Sequence, residues 1–110
     1  MAISRSLIQT DLGIDTGVAL TECSTAALTQ HTIVTIMWSE VSGDISGMEL
    51  SLRVSFDGTT WFNSEFTSGV ITSRSNNSIT FAAIAADYVR VCVKTASTIA
   101  STSDIYVETK

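Results

Sequence analysis

The chain has 110 residues, with 11 acidic and six basic side chains and a formal net charge of −5. That length supports one domain with a substantial hydrophobic core, but not two domains. The six Lys and Arg residues are scattered and cannot neutralise a run of phosphates, which argues against a nucleic-acid-binding protein. Ser and Thr supply 32 residues, and proline is absent. Together with abundant Val and Ile, this composition predicts an all-β protein.

The first 17 residues differ from the rest because they show little hydrophobic periodicity. They end in residues 11–17, where two aspartates and two glycines are typical of turns. We predict that residues 1–17 form an N-terminal arm or an edge strand, and that residues 18–110 form a single β-sandwich domain. No apolar run of signal-peptide or membrane-span length follows the start, so we expect a soluble protein made in a host cytoplasm, with no membrane partner.

Two strands are predicted before the middle of the chain. Residues 18–24 give a weak strand pattern. The second pattern is stronger, because Val34, Ile36 and Trp38 share one face while Met37 lies on a second apolar face. A strand that is apolar on both faces is typical of a central strand or of an interface.

The clearest pattern in the chain is a hairpin. Asp57-Gly58 supplies a side chain that bonds its own backbone and then a residue that adopts positive φ, so we expect the chain to reverse there and return through Trp61. Before this turn, apolar positions predicted to face the core alternate strictly with polar positions predicted to face water. The apolar set is Leu50, Leu52, Val54 and Phe56, and the polar set is Glu49, Ser51, Arg53 and Ser55.

The next clear strand runs from residue 88 to residue 95. Its apolar set is Val89, Val91 and Val93, so strand parity places Cys92 on the opposite, more polar face. We therefore predict that Cys23 and Cys92 are not bridged, because a disulfide needs closely spaced and correctly aimed side chains. A bridge between them would instead support an immunoglobulin-like domain.

The last strand contributes a second outward tyrosine. Ile105 and Val107 are predicted to face the core, so Tyr106 points away from it. The predicted partner-facing face combines this tyrosine with the polar side of the preceding strand, and consists of Tyr88, Arg90, Lys94 and Tyr106. With about eight short strands separated by turn signals, the chain is predicted to be an antiparallel β-sandwich or jelly roll.

No motif indicates catalysis. The only histidine, His31, has no nucleophile or base near it in a recognisable pattern, and zinc, phosphate-loop and dinucleotide spacings are absent. Asp44 and Asp57 lack the dense oxygen-ligand spacing of a calcium loop. We expect a protein without enzymatic activity, cofactor or metal ion.

Two strings carry a family resemblance: Ser55-x-Asp57-Gly58-x-x-Trp61 and the later Asp87-Tyr88-Val89-Arg90-Val91. This pairing resembles small β-sandwich modules, including discoidin-like carbohydrate-binding domains and small virion proteins of tailed bacteriophages. The resemblance covers roughly residues 48–95 and brings no catalytic residue with it.

Together with the acidic, Ser- and Thr-rich composition, the chain is most similar in pattern to a capsid decoration or cement protein. That resemblance implies binding to the major capsid protein and to other copies of the chain, commonly as a homotrimer on the capsid surface of the virion. The alternatives are a head–tail connector, a tail-surface module and a discoidin-like carbohydrate-binding module with a glycan as its partner.

Overall fold

The computed structural model describes residues 7–29, 31–72 and 76–110, and it confirms the predicted all-β sandwich. The first sheet has the strand order β1-β8-β3-β6 and the second has the order β2-β7-β4-β5, and the named strand pairs are antiparallel. The described strands are β1 (Leu7–Asp15), β2 (Ala26–Ala27), β3 (Val34–Ser42), β4 (Glu49–Ser55), β5 (Phe62–Val70), β6 (Asn77–Phe81), β7 (Tyr88–Thr95) and β8 (Thr102–Thr109). The described residues form no helix long and apolar enough to cross a bilayer.

The core lies between the two sheets and is built by side chains that alternate inward along the central strands. Each fully buried aliphatic side chain contributes about 1.5–3 kcal/mol relative to an exposed one. Loop residues close both ends of the sandwich: Ile45 and Met48 are fully buried at one end, and Leu28 and Ile84 are buried at the other. The inward positions predicted for two strands are confirmed, namely Val89, Val91 and Val93 on β7 and Ile105 and Val107 on β8. On β3, the face shared by Val34, Ile36 and Trp38 is the buried one.

The described part of the N-terminal segment is an edge strand. β1 pairs with β8 from Leu7↔Thr109 to Asp15↔Thr102. A register shift follows Asp11, where Gly13 adopts a φ of +65°. Residues 1–6 lie outside the described residues, so the predicted arm is not described beyond β1.

Residues 18–24 do not form the strand that was predicted for them. Leu20 and Cys23 donate backbone hydrogen bonds to β7, but the only bridge in this stretch joins Glu22 to Cys92. Leu20 has a φ of 65°, which is incompatible with a regular strand. The short strand β2 follows instead, where no strand was predicted.

The hairpin of β4 and β5 is confirmed, with Val54 paired to Phe62. The prediction for its last residues is wrong, because Phe56 is 64% exposed while Ser55 is fully buried. β4 ends at Ser55, so the alternation that would have turned Phe56 inward stops one residue too early. Ser51, predicted to face water, is also buried.

Candidate functional surfaces

The four predicted partner-facing residues do not lie on one face. Tyr88, Arg90 and Lys94 belong to β7 in the second sheet, whereas Tyr106 belongs to β8 in the first sheet. All four positions alternate with core residues, so their side chains lie on the two opposite outer faces of the sandwich. The prediction of a single partner-facing face is therefore wrong. The valine pattern separates inside from outside on each strand, but it carries no information on which sheet the strand joins.

The outer face of the second sheet carries an ion-pair network. Arg53 Nη1 donates to Glu22 Oε1 at 2.6 Å, and Arg90 Nη2 forms an ion pair with Glu22 Oε2. The guanidinium of Arg90 stacks on Trp61, with 4.2 Å between its central carbon and the ring centroid. Arg53 Nη2 also donates to the backbone carbonyl of Trp61 at 3.3 Å. One carboxylate thus holds two arginines and one aromatic ring in a fixed arrangement.

The second cation that β7 contributes to this face is also paired. Lys94 Nζ lies 3.8 Å from Glu49 Oε2 on the adjacent strand, and the lysine side chain is about half exposed. An exposed pair of this kind contributes little to stability. It nevertheless gives each of the cations that β4 and β7 place here an acidic neighbour within the same molecule.

Two free thiols lie on opposite sides of β7. Cys92 is on the outer side, next to Ser51, and is 2% exposed. Burial, with a contribution from the Glu22 carboxylate, raises the pKa of Cys92. Cys23 belongs to the core between the sheets, where burial and the Asp11 carboxylate raise its pKa to about 12. The prediction that the cysteines are not bridged is confirmed.

The Asp57-Gly58 motif is engaged in building its own loop. Asp57 Oδ1 accepts hydrogen bonds from the backbone N–H groups of Thr60 and Thr59, and these bonds lower the pKa of Asp57 below its usual range. Ser55 Oγ accepts from the N–H of Gly58 at 2.9 Å, and Gly58 has a φ of +79°. The predicted positive φ is confirmed, and the motif fixes the path from β4 to β5.

The outer face of the first sheet has a different character. Its strand register places Thr10, Tyr106 and Met37 in one row across three strands. On the edge strand, Ile8 and Leu12 are exposed by 63% and 67%, one on each side of that row. None of the four strands of this sheet contains Arg or Lys. This surface, formed by Ile8, Leu12, Tyr106 and Met37, is called the apolar face below.

Sequence reasoning missed most of the network on the second sheet. It identified Arg90 as outward but gave Glu22 no role, because the segment that carries Glu22 has only a weak strand pattern. The described residues contain no group of three or more His, Cys, Asp or Glu side chains that could hold a metal ion. His31 Nδ1 lies 2.9 Å from Thr109 Oγ1 and is half-buried.

Known structures share this fold. The chain is similar to the SPBc2 prophage-derived protein YomS, with a TM-score of 0.57 and 8% identity over 100% of this chain and 99% of that chain. It is also similar to CBM86, a low-affinity xylan-binding module from the gut symbiont Roseburia intestinalis, with a TM-score of 0.50 and 12% identity over 97% and 96% of the two chains. At these identities the likeness concerns the fold alone. No protein-family model and no curated protein sequence matches the chain.

Proposed function

We propose that this protein is a non-enzymatic structural component of a tailed-phage particle, which decorates the capsid surface by protein–protein contacts. The observation that carries the proposal is the apolar face on the first sheet, where Ile8 and Leu12 are mostly exposed beside Tyr106 and Met37. Large apolar side chains that are exposed beside an unpaired strand edge favour contact with a second molecule. The fold shared with a prophage-derived protein supports this assignment.

The position of the apolar face favours an assembly. β1 is nine residues long and, among the described strands, pairs only with β8. Its other side therefore presents unpaired backbone groups next to the exposed Ile8 and Leu12. Contact with neighbouring copies around a closed ring, for which we propose a trimer, would cover both the strand edge and the side chains. The major capsid protein would cover the rest of the face.

The structure also favours β1 over an unattached arm as the element that makes these contacts. The pairing of β1 with β8 extends along the whole described strand. Deletion of β1 would remove a whole strand from the edge of the sheet. A loss of capsid binding could then result from misfolding as well as from the loss of contact residues. Point substitutions of the exposed side chains are therefore the appropriate test.

We would measure binding of the purified protein to undecorated capsids of its phage by co-sedimentation, and its mass in solution by light scattering. The test variant combines Ile8→Ser with Leu12→Ser. The control is Ile99→Ser, since Ile99 is 56% exposed but lies in the loop between β7 and β8. The double variant should fold normally and lose capsid binding, whereas the control should bind as the wild type does.

Capsid binding that survives the double substitution would overturn the role of the apolar face. A wild-type protein that never binds capsids would overturn capsid decoration, and binding to isolated tails or connectors would then assign it to a tail-surface or connector position. Carbohydrate binding is the second candidate function, because the fold is shared with a xylan-binding module. The Asp57-Gly58-Trp61 motif does not support it directly, since Arg90 stacks on Trp61.

A further inference from the structure

A cavity of about 430 Å³ opens at the end of the sandwich where β4 ends and β7 begins. This volume is within the range of small-molecule sites. Phe56 and Tyr88 are the aromatic residues of its wall. The polar side chains in the wall are Thr29, His31, Thr32 and Asp87.

Backbone hydrogen bonds tie the two loops around the cavity together. Leu28 N donates to Asp87 O at 2.9 Å, and Ile84 N donates to Thr32 O at 3.0 Å. Asp87 N also donates to Ser55 O at 3.2 Å, which connects the loops to the end of β4. The cavity is therefore largely formed before any ligand binds, and a preformed site loses less entropy on binding.

Two residues at this end of the molecule have a strained backbone. Thr29, in the cavity wall, has a φ of 43°, and Ala83, next to the buried Ile84, has a φ of 57°. Residues other than glycine adopt this conformation at a cost in free energy, and such residues concentrate at binding sites. Neither position is required by a tight hairpin, since each lies in a connection between the sheets.

The exposure of Phe56 is the second indication of a ligand. Phe56 lines the cavity and is 64% exposed, whereas Ser55, the last residue of the preceding strand, is fully buried. An aromatic ring packs well against the C–H face of a sugar ring, while hydroxyl groups of the sugar would bond to Asp87, His31 and the two threonines. A fully apolar ligand would instead leave these polar groups without partners.

The charge of the residues that line the cavity indicates a neutral ligand. None of the described residues that line the cavity is Arg or Lys, whereas Asp87 contributes an exposed carboxylate. An anionic ligand would meet a negative side chain and no balancing cation. The lining thus favours a neutral ligand that is rich in hydroxyl groups and has apolar ring faces.

We propose that this cavity binds a short segment of a neutral oligosaccharide, with sugar rings against Phe56 and Tyr88. The site lies on loops at the end of the sandwich and does not include the apolar face, so it does not depend on capsid binding. It gives a decorating protein a second activity, which is attachment to a polysaccharide. If capsid decoration fails, the same site would define a free-standing carbohydrate-binding module.

The test is amide NMR of the isotope-labelled full chain, titrated separately with xylohexaose, cellohexaose and maltohexaose. Phe56→Ala is the test variant. Phe62→Ala is a matched control, since Phe62 is 52% exposed at the start of the next strand and does not line the cavity. Both rings are exposed, so both variants should keep the wild-type fold, and the spectra report directly whether they do.

At least one hexasaccharide should shift the amides of residues 28, 29, 31, 32 and 84–88, and Phe56→Ala should weaken its binding by about tenfold or more. Phe62→Ala should leave the affinity unchanged, and Phe56→Ala should still bind capsids. The proposal is overturned if none of the three sugars shifts these amides, or if Phe56→Ala binds as tightly as the wild type. Binding that appears only with an acidic oligosaccharide, such as hexagalacturonate, would also overturn it.

Discussion

The two outer faces of the sandwich differ in whether their side chains find partners within the chain. On the second sheet, Glu22 pairs with two arginines, and Arg90 in turn covers Trp61. On the first sheet, Ile8 and Leu12 are exposed and the strands carry no cation. The charged side chains of the second sheet thus find partners within one chain, whereas Ile8 and Leu12 on the first sheet stay mostly exposed. A patch of aromatic and basic residues in a sequence is thus not by itself a binding surface.

The largest loss of stability is expected at the loop that joins β4 to β5. Gly58→Val places a branched side chain at a φ of +79°, facing the ring of Tyr88, whose atoms lie 3.7 Å from the added Cβ. We expect a loss of about 2 kcal/mol in the free energy of unfolding, measured by urea denaturation.

Gly58→Asn is the control for that substitution, because asparagine tolerates positive φ better than valine does. It should recover part of the lost stability. A valine variant as stable as the wild type would show that the loop does not depend on the left-handed conformation at this position.

A smaller loss of stability is expected when one carboxylate is removed from the ion-pair network of the second sheet. The comparison is with removal of a carboxylate from the first sheet. Glu22→Gln leaves Arg53 and Arg90 without their shared charge, so we expect a loss of about 1–2 kcal/mol. The same change on the first sheet, Glu108→Gln, should cost less than about 0.5 kcal/mol. Equal losses at the two sites would contradict the contrast between the faces.

The same variant should change thiol reactivity. Cys92 lies buried beside Glu22, and Cys23 is buried in the core with a pKa raised to about 12. Native wild-type protein should react slowly with a thiol reagent at both positions, and both should react after unfolding. In Glu22→Gln, Cys92 should react faster than in the wild type, because the Glu22 carboxylate contributes to the raised pKa of Cys92. Cys23 should stay protected.

The smallest effect is a change of stability with pH. The Asp57 carboxylate accepts two backbone hydrogen bonds, so its pKa in the folded chain lies below the usual value of 3.8. A depressed pKa contributes stability above 3.8, and this contribution is lost as the pH falls below that value. The melting temperature should therefore fall more steeply between about pH 5 and pH 2 for the wild type than for Asp57→Asn. Parallel curves would show that these hydrogen bonds do not favour the charged carboxylate.

Local pattern was sufficient for most of the strands. Alternation identified the inward valines of β7 and the inward Ile105 of β8, because a period of two fixes which side chains share a face. The Asp57-Gly58 turn was also predictable, since positive φ is a property of the residue itself. The sequence did not predict β2 or the exposure of Phe56, because both depend on where a neighbouring strand begins or stops.

The sequence by itself determined that this protein is an all-β sandwich, which apolar residues of β3, β7 and β8 share one face, and how its central hairpin turns. These follow from short-range rules of alternation and backbone conformation. The tertiary structure decided that Tyr88 and Tyr106 lie on opposite faces, that Glu22 pairs with both Arg53 and Arg90, and that distant loops line an open cavity. Such features depend on contacts between residues far apart in the chain, and strand periodicity carries no information about which strands become neighbours.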